Sequence, residues 1–285
     1  MEPILRFGSF LAIFAAMAVW EVYRPRLTLA QRRGQRWPIN LGITVLDVVL
    51  VRFTVGAVAV QASVFAAERG WGLFHLVDVP GWVAFVASWA MLDFGIYLQH
   101  VMVHAIPVLW RLHMVHHADL GFDVTTGLRF HPIEIFVSMG ITVAMVLLIG
   151  PPAGAVILFE ILLNAGSLFN HGNVAIPVGV DRWLRRLVVT PDMHRVHHSS
   201  ATFETNSNFG FSVSIWDRLC GTYRAQPAAG HERVKIGLEP YRDPAQLGFF
   251  RLMLLPFHGR LGYYSYLGRA AKRAEAEATP DADER

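Results

Sequence analysis

Five apolar stretches constrain this chain more than any other feature, because each is close to the roughly 20 residues an α-helix needs to cross about 30 Å of hydrocarbon. They run from about Ile4 to Trp20, Ile39 to Ala67, Trp82 to Leu98, Ile133 to Ile149 and Ala155 to Phe169. In lipid a backbone must satisfy its own polar groups, so these stretches are expected to be helices. Gly150-Pro151-Pro152-Ala153-Gly154 predicts a tight turn that makes the last two a hairpin. Composition agrees: the chain is 53% hydrophobic and 16% charged, whereas a soluble domain carries about a quarter charged residues. The expected fold is all-α, a polytopic membrane helical bundle of about four to five membrane helices.

The charged residues that remain are mostly arginines; the lysines are Lys235 and Lys272. No basic stripe with interleaved aromatics is present, so the pI near 9.2 is read as topology signal and phospholipid contact, not nucleic-acid binding. Arg24, Arg26, Arg32, Arg33 and Arg36 follow the first apolar stretch, which places that loop in the cytoplasm. Ala16-Met17-Ala18 resembles a signal-peptide cleavage site, but the positive cluster follows the apolar run, so the run is read as a retained anchor. Residues 68–80 and the hairpin turn then face outward, and Arg182, Arg185, Arg186 and Arg195 return to the cytoplasm. The arginine bias suggests a bacterial cytoplasmic membrane. Asp47, Arg52 and Glu160 fall inside apolar runs, where a charge costs about 2.5–3.5 kcal/mol, so they are expected to face the bundle interior, Asp47 and Arg52 as a possible pair. Cys220, the sole cysteine, excludes an intrachain disulfide and is read as a small buried apolar residue.

That topology brings three histidine clusters to one membrane face: His100 and His104; His113, His116 and His117; His194, His197 and His198. Positions i, i+3 and i+4 share a helix face, so each cluster is expected to present its rings toward one point. Pro107 predicts the start of one helix, and Thr190-Pro191-Asp192 the cap and first turn of another. Clustered imidazoles beside a bilayer are costly unless something binds them, which points to metal. Eight ligands exceed the three or four that one zinc takes, so two ions are expected. Imidazole alone does not choose among zinc, copper, iron and nickel. His171 is a further candidate ligand. His131 is a candidate ligand or outer partner. Asp93, Glu134, Asn170, Asp192, Asn206, Asn208 and Asp217 are candidates to receive the ligands' second N–H, or to act as ordinary caps. His75, His231 and His258 stand alone and are read as surface or packing residues.

In chain order, His-x-x-x-His, His-x-x-His-His, Arg129-Phe130-His131-Pro132, Asn170-His171-Gly172 and a second His-x-x-His-His, followed by Asn208-Phe209-Gly210 and Trp216-Asp217-Arg218, resemble the fatty acid hydroxylase and sterol desaturase superfamily. The likeness runs from about Asp93 to Tyr223. It implies a membrane bundle capped by a cytosolic helical histidine-rich metal site. It implies two iron ions held by His100, His104, His113, His116, His117, His194, His197 and His198, with His171 a ninth ligand. It also implies O2 as co-substrate, a lipid substrate hydroxylated or desaturated at a C–H bond, and electrons from a separate donor protein of ferredoxin or cytochrome b5 type with its reductase. Zinc could substitute in purified protein, but the active state is expected to hold iron. A zinc-dependent membrane hydrolase and a non-catalytic metal-binding or transport protein are the alternatives. His-Glu-x-x-His is absent, and transporter ligands belong near the bilayer midplane. Residues 1–80 are read as anchor helices and 81–225 as the histidine-box domain. In 226–285 the reading is an interfacial segment near Leu247 to Phe257 and a disordered tail from about Ala270.

Overall fold

The computed structural model describes residues 2–54 and 58–265; the expected tail lies outside them. The helices are α1 (Glu2–Tyr23), α2 (Arg33–Thr54), α3 (Val58–Arg69), the single turn α4 (Leu73–Leu76), α5 (Gly81–Ala105), α6 (Pro107–His117), α7 (Pro132–Ile149), α8 (Ala153–Asn170), α9 (Val178–Leu184), α10 (Pro191–His197), α11 (Thr202–Thr205), α12 (Ile215–Leu219) and α13 (Phe249–His258). Extended pairing among the described residues is confined to isolated bridges such as Pro25 with Val174. Five segments are long and apolar enough to cross a membrane: Arg6–Tyr23, Arg33–Leu76, Gly81–Ala105, Pro132–Ile149 and Ala153–Asn170. Val48, Phe53, Val86 and Leu148 stand exposed on these segments, as lipid-facing side chains do. The chain is an integral, multi-pass membrane protein.

The second apolar stretch reads as one run but forms α2 and α3. At 22 residues α2 alone is long enough to cross, while the 12-residue α3 packs on α7 and α8. Small residues let it approach: Ala59 and Ala62 join Leu92, Ile96, Val146, Val156 and Phe159 in one buried cluster. At one end of the bundle the α7–α8 turn meets the segment after α3. The Ser63 hydroxyl donates to Pro151 O at 2.7 Å. Gly150 has φ 64° and closes α7 in the left-handed conformation. Gly72 has φ 100°, and a Cβ there would lie 2.3 Å from Gly150 N, so the contact requires glycine.

At the other end, α1 finishes, α2 starts, α5 finishes, α7 starts and α8 finishes. Here the arginines do more than the charge rule assigns them. Arg36 Nε and Nη2 donate to Asp119 at 2.7 and 2.6 Å, and Nη1 to Asp123 at 2.6 Å. Arg26 pairs with Asp192 at 3.2 Å, and Arg33 with Glu21 at 3.6 Å. Glu21 in turn accepts from the backbone N–H groups of Val124 and Asn173 at 2.7 and 2.8 Å. The α1–α2 loop and the start of α2 are thus tied by ion pairs to the segments beside the histidines, and those of Arg36 are buried.

Three expectations are corrected. Arg52 is exposed, not interior, and Asp47 is buried without it; Oδ1 of Asp47 has no hydrogen-bond partner among the described residues. Cys220 is exposed, because the short α12 turns its C-terminal end outward. His231 is buried and lies 3.6 Å from Asp192, so it is not isolated. Glu160 does face a neighbouring helix, pairing with Arg6 at 2.6 Å.

Candidate metal centre

Proline and cap chemistry set the two short helices that carry most of the histidines. Pro107 occupies the first turn of α6. The Thr190 side chain caps α10 by accepting from Met193 N at 3.4 Å, with Pro191 next. His100 and His104 lie in the last turns of α5, and His171 caps the C-terminus of α8.

The boxes do not each converge on one point. Each His-x-x-His-His divides its rings between two places. His100, His104, His113, His117 and His197 form one group, and His116, His171, His194 and His198 a second. Within each group the ligand atoms lie within 4.8 Å of one another. From α6 the i and i+4 rings, His113 and His117, go to the first group, and the i+3 ring, His116, to the second. From α10 His194 and His198 go to the second, and His197 to the first. A helix turns about 100° per residue, so the ring at i+3 is offset to one side of the i, i+4 line. The groups adjoin: the rings of His117 and His198 stack at 4.4 Å between centroids.

All nine imidazoles are buried. Burial holds those of His116, His117, His194 and His198 well below the usual histidine range and pushes His171 and His197 down to about 3. They are therefore neutral near pH 7, the form that ligates metal. The tautomers follow from the outer partners. Nδ1–H of His100 donates to Phe209 O at 2.8 Å, that of His197 to Ser207 O at 2.8 Å, and that of His171 to Ser167 O at 2.7 Å. Nδ1–H of His113 donates to Glu134 Oε1 at 2.5 Å. Each leaves a bare Nε2 facing inward.

Those inward atoms make the site a good fit for metal. Nε2 of His100, His113, His117 and His197, and both nitrogens of His104, have no hydrogen-bond partner among the described residues. In the second group Nε2 of His171 lies 3.1 Å from Nε2 of His116, 3.2 Å from Nε2 of His198 and 3.1 Å from Nε2 of His194. At most one N–H can serve the His171 lone pair, so the other approaches need a cation between them. Metal–nitrogen bonds of about 2.0–2.1 Å put neighbouring ligand atoms roughly 2.9–3.4 Å apart, which brackets these separations.

The other expected residues sit one layer farther out. His131 caps α7, accepting from Ile133 N at 3.2 Å, with its Nε2 3.2 Å from Met253 O, and belongs to neither group. Asp93 accepts from Trp216 Nε1 at 2.8 Å, and Asn170 donates to Phe211 O at 3.1 Å. Asn206 donates to Tyr264 O at 2.7 Å. Asp192 pairs with Arg26, Arg195 and His231. Asn208, at φ 54°, bridges Met193 O and Arg224 O, and Asp217 accepts from Phe209 N and Gly210 N at 2.7 and 2.8 Å. These last two shape the loop whose carbonyls orient His100 and His197. Glu134 is the carboxylate that reaches a ring. The carbonyls of Ser167, Ser207 and Phe209 left no side-chain signal to read. Nor did the aromatic walls: Phe130 stacks on His116 at 4.5 Å, and Trp110 lies 4.9 Å from His104.

A membrane helical bundle with two adjoining, all-histidine nitrogen groups at one end defines a membrane metalloprotein. The fatty acid hydroxylase model matches residues 85–222, which contain all nine histidines. Over those residues, just under half of the chain, it is similar to the fatty acid hydroxylase and sterol desaturase superfamily. It is 29% identical over 180 residues to ornithine lipid hydroxylase of Rhizobium tropici, covering 63% of this chain and 52% of that protein. It is 30% identical over 172 residues to the alkylglycerol monooxygenase of Homo sapiens, covering 59% and 36%. Over 133 residues it is 31% identical to the Delta(7)-sterol 5(6)-desaturase of Candida glabrata, covering 46% and 34%. The chain thus spans about half or less of the length of these relatives. No solved structure matches it.

Outer partners of ligands typically change metal affinity 10–100-fold. Glu134→Gln is expected to lower iron affinity by about that factor while leaving the fold intact, as read by competition with a chelator alongside circular dichroism.

Proposed function

We propose that the chain is an O2-dependent di-iron oxygenase that oxidises a C–H bond of a membrane lipid. The observation that carries this reading is the pair of adjoining nitrogen groups, with unpartnered Nε2 atoms in the first and four Nε2 atoms meeting around His171 in the second. His100, His104, His113, His117 and His197 would hold one iron, and His116, His171, His194 and His198 the other. Iron so held supplies the redox chemistry with O2 that zinc lacks. The chain's own residues do the rest. Phe209 O, Ser207 O, Ser167 O and Glu134 fix the ring orientations. Phe122, Phe130 and Trp110 exclude water from around the rings. Phe211 adjoins His100 and packs against the apolar cluster of α3, α5, α7 and α8, which supports entry of an acyl or alkyl chain from the bilayer.

The names of the relatives, an ornithine lipid hydroxylase and alkylglycerol monooxygenases, favour hydroxylation of a lipid with a polar headgroup. Arginine placement supports a cytoplasmic site in a bacterial membrane, served by a separate ferredoxin or cytochrome b5 with its reductase. A zinc hydrolase is disfavoured because the nearby carboxylate, Glu134, is engaged with His113. A transporter is disfavoured because the groups lie at one end of the spanning helices.

The test is oxygen uptake by iron-loaded protein with total lipid extract and a reductase system. The expected result is uptake matched by a lipid product 16 mass units heavier or 2 lighter, absent in the zinc-loaded protein. Lipid cleavage by the zinc form without O2 would reject the proposal in favour of hydrolysis.

A further inference from the structure

Away from the histidines, a cavity of about 260 Å³ opens between the start of α2 and the segment that leads into α13. Arg36 and Arg129 form its charged wall, with side chains only 3% and 2% exposed. Arg36 is fully engaged with Asp119, Asp123 and Thr126. Arg129 is not. Its Nε donates to Val115 O at 2.8 Å and its Nη1 to Asn40 Oδ1 at 3.3 Å, but Nη2 has no acceptor among the described residues. Asp119, already shared by Arg36, Asn40 and Thr126, approaches Nη1 only to 3.7 Å. A buried guanidinium with an empty donor is a costly arrangement that an occupant bearing an acceptor oxygen relieves. Burial pushes Arg129 down to about 10 against the pull of Asp119, which favours such an occupant.

The lining narrows the chemistry. The guanidinium fork matches phosphate oxygens better than other acceptors. Gln31 and Gln35 add neutral polar groups, while Ile39 and Leu247 add an apolar side. The volume falls just below the roughly 300–1,000 Å³ of small-molecule sites, enough for a headgroup and not for acyl chains. Directly after Leu247, α13 packs on α2 and α6 at the histidine end of the spanning helices. It exposes Phe250, Leu254 and Phe257, one apolar stripe at i, i+4 and i+7, as a helix lying in the headgroup layer does. The cavity therefore opens at headgroup depth.

We propose that this cavity binds the phosphate headgroup of a membrane phospholipid, with Arg129 Nη2 as its buried donor and the acyl chains running past Ile39 and Leu247 toward α13. The site is separate from the histidines and does not depend on the reaction they support.

The test is equilibrium binding to the full chain in amphipol. The probes are dihexanoyl phosphatidylglycerol, dihexanoylglycerol and inorganic phosphate. The expected result is saturable binding of one phosphatidylglycerol per chain, with the other two at least tenfold weaker. Ala245→Trp blocks the mouth from an exposed position without touching the buried cluster, and is expected to weaken binding at least tenfold at unchanged iron content and Tm. Arg129→Gln is expected to weaken binding as well, and Ala245→Trp decides the matter if that variant does not fold. Equal binding of dihexanoylglycerol, or unchanged affinity in Ala245→Trp, would overturn the proposal. Inorganic phosphate binding as tightly as the phospholipid would assign the site to free phosphate and overturn it too.

Discussion

His104→Leu is expected to abolish product formation, by on the order of 100-fold or more, while leaving the metal-free protein as stable as before or more so. The two effects have opposite signs for one reason. Neither ring nitrogen of His104 has a hydrogen-bond partner among the described residues, although the side chain is fully buried. Each unsatisfied buried nitrogen costs about 1–3 kcal/mol without metal. Leucine fills similar space and removes both, so folding has nothing to lose and the ion loses a ligand. Thermal unfolding of the chelated protein, set beside turnover of the iron-loaded protein, reads both halves. A large fall in the stability of the metal-free protein would mean that His104 serves the fold and not an ion.

Arg36→Met is expected to act the other way, destabilising the protein by about 3–5 kcal/mol through the loop that follows the second histidine box. Arg36 donates to Asp119 through two nitrogens and to Asp123 through a third, and both carboxylates are buried. Removing the cation leaves two buried anions and, among the described residues, only Arg129 within ion-pair distance, at 3.7 Å from Asp119. Urea unfolding of the loop, followed by hydrogen exchange over residues 118–129, should show the loss there first. The double replacement Arg36→Met with Asp119→Leu should recover part of it, because a buried pair replaced by apolar groups is often near neutral.

Much of this molecule was legible in its sequence because two physical constraints are severe. Bilayer thickness fixes the length of apolar runs, so the five spans could be read, as could the ends at which they meet. Imidazoles cannot be buried in such numbers unligated, so the two ions could be read from His100 through His198. What could not be read depends on geometry that composition does not encode. The i+3 offset that sends His116 and His197 away from their box partners needs the actual placement of α6 and α10. The partners of His100, His171 and His197 are backbone carbonyls, which every residue carries. Asn208 and Asp217 could be named as polar residues near the boxes but not assigned their task, which is to shape the loop behind the rings. The arginines after α1 served as a topology signal by count, yet Arg26, Arg33 and Arg36 are individually committed to Asp192, Glu21, Asp119 and Asp123. Cys220 misled because a small residue beside Leu219 looks buried, whereas a five-residue helix cannot bury both sides.

The metal content of the purified, iron-loaded chain, measured by inductively coupled plasma mass spectrometry, distinguishes a two-ion site from any other most directly. Two nitrogen groups predict two irons per chain, falling to about one when His171, at the centre of the four-histidine group, is replaced by leucine. A full-length chain that saturates at one iron, or that keeps both after His171→Leu, would contradict it.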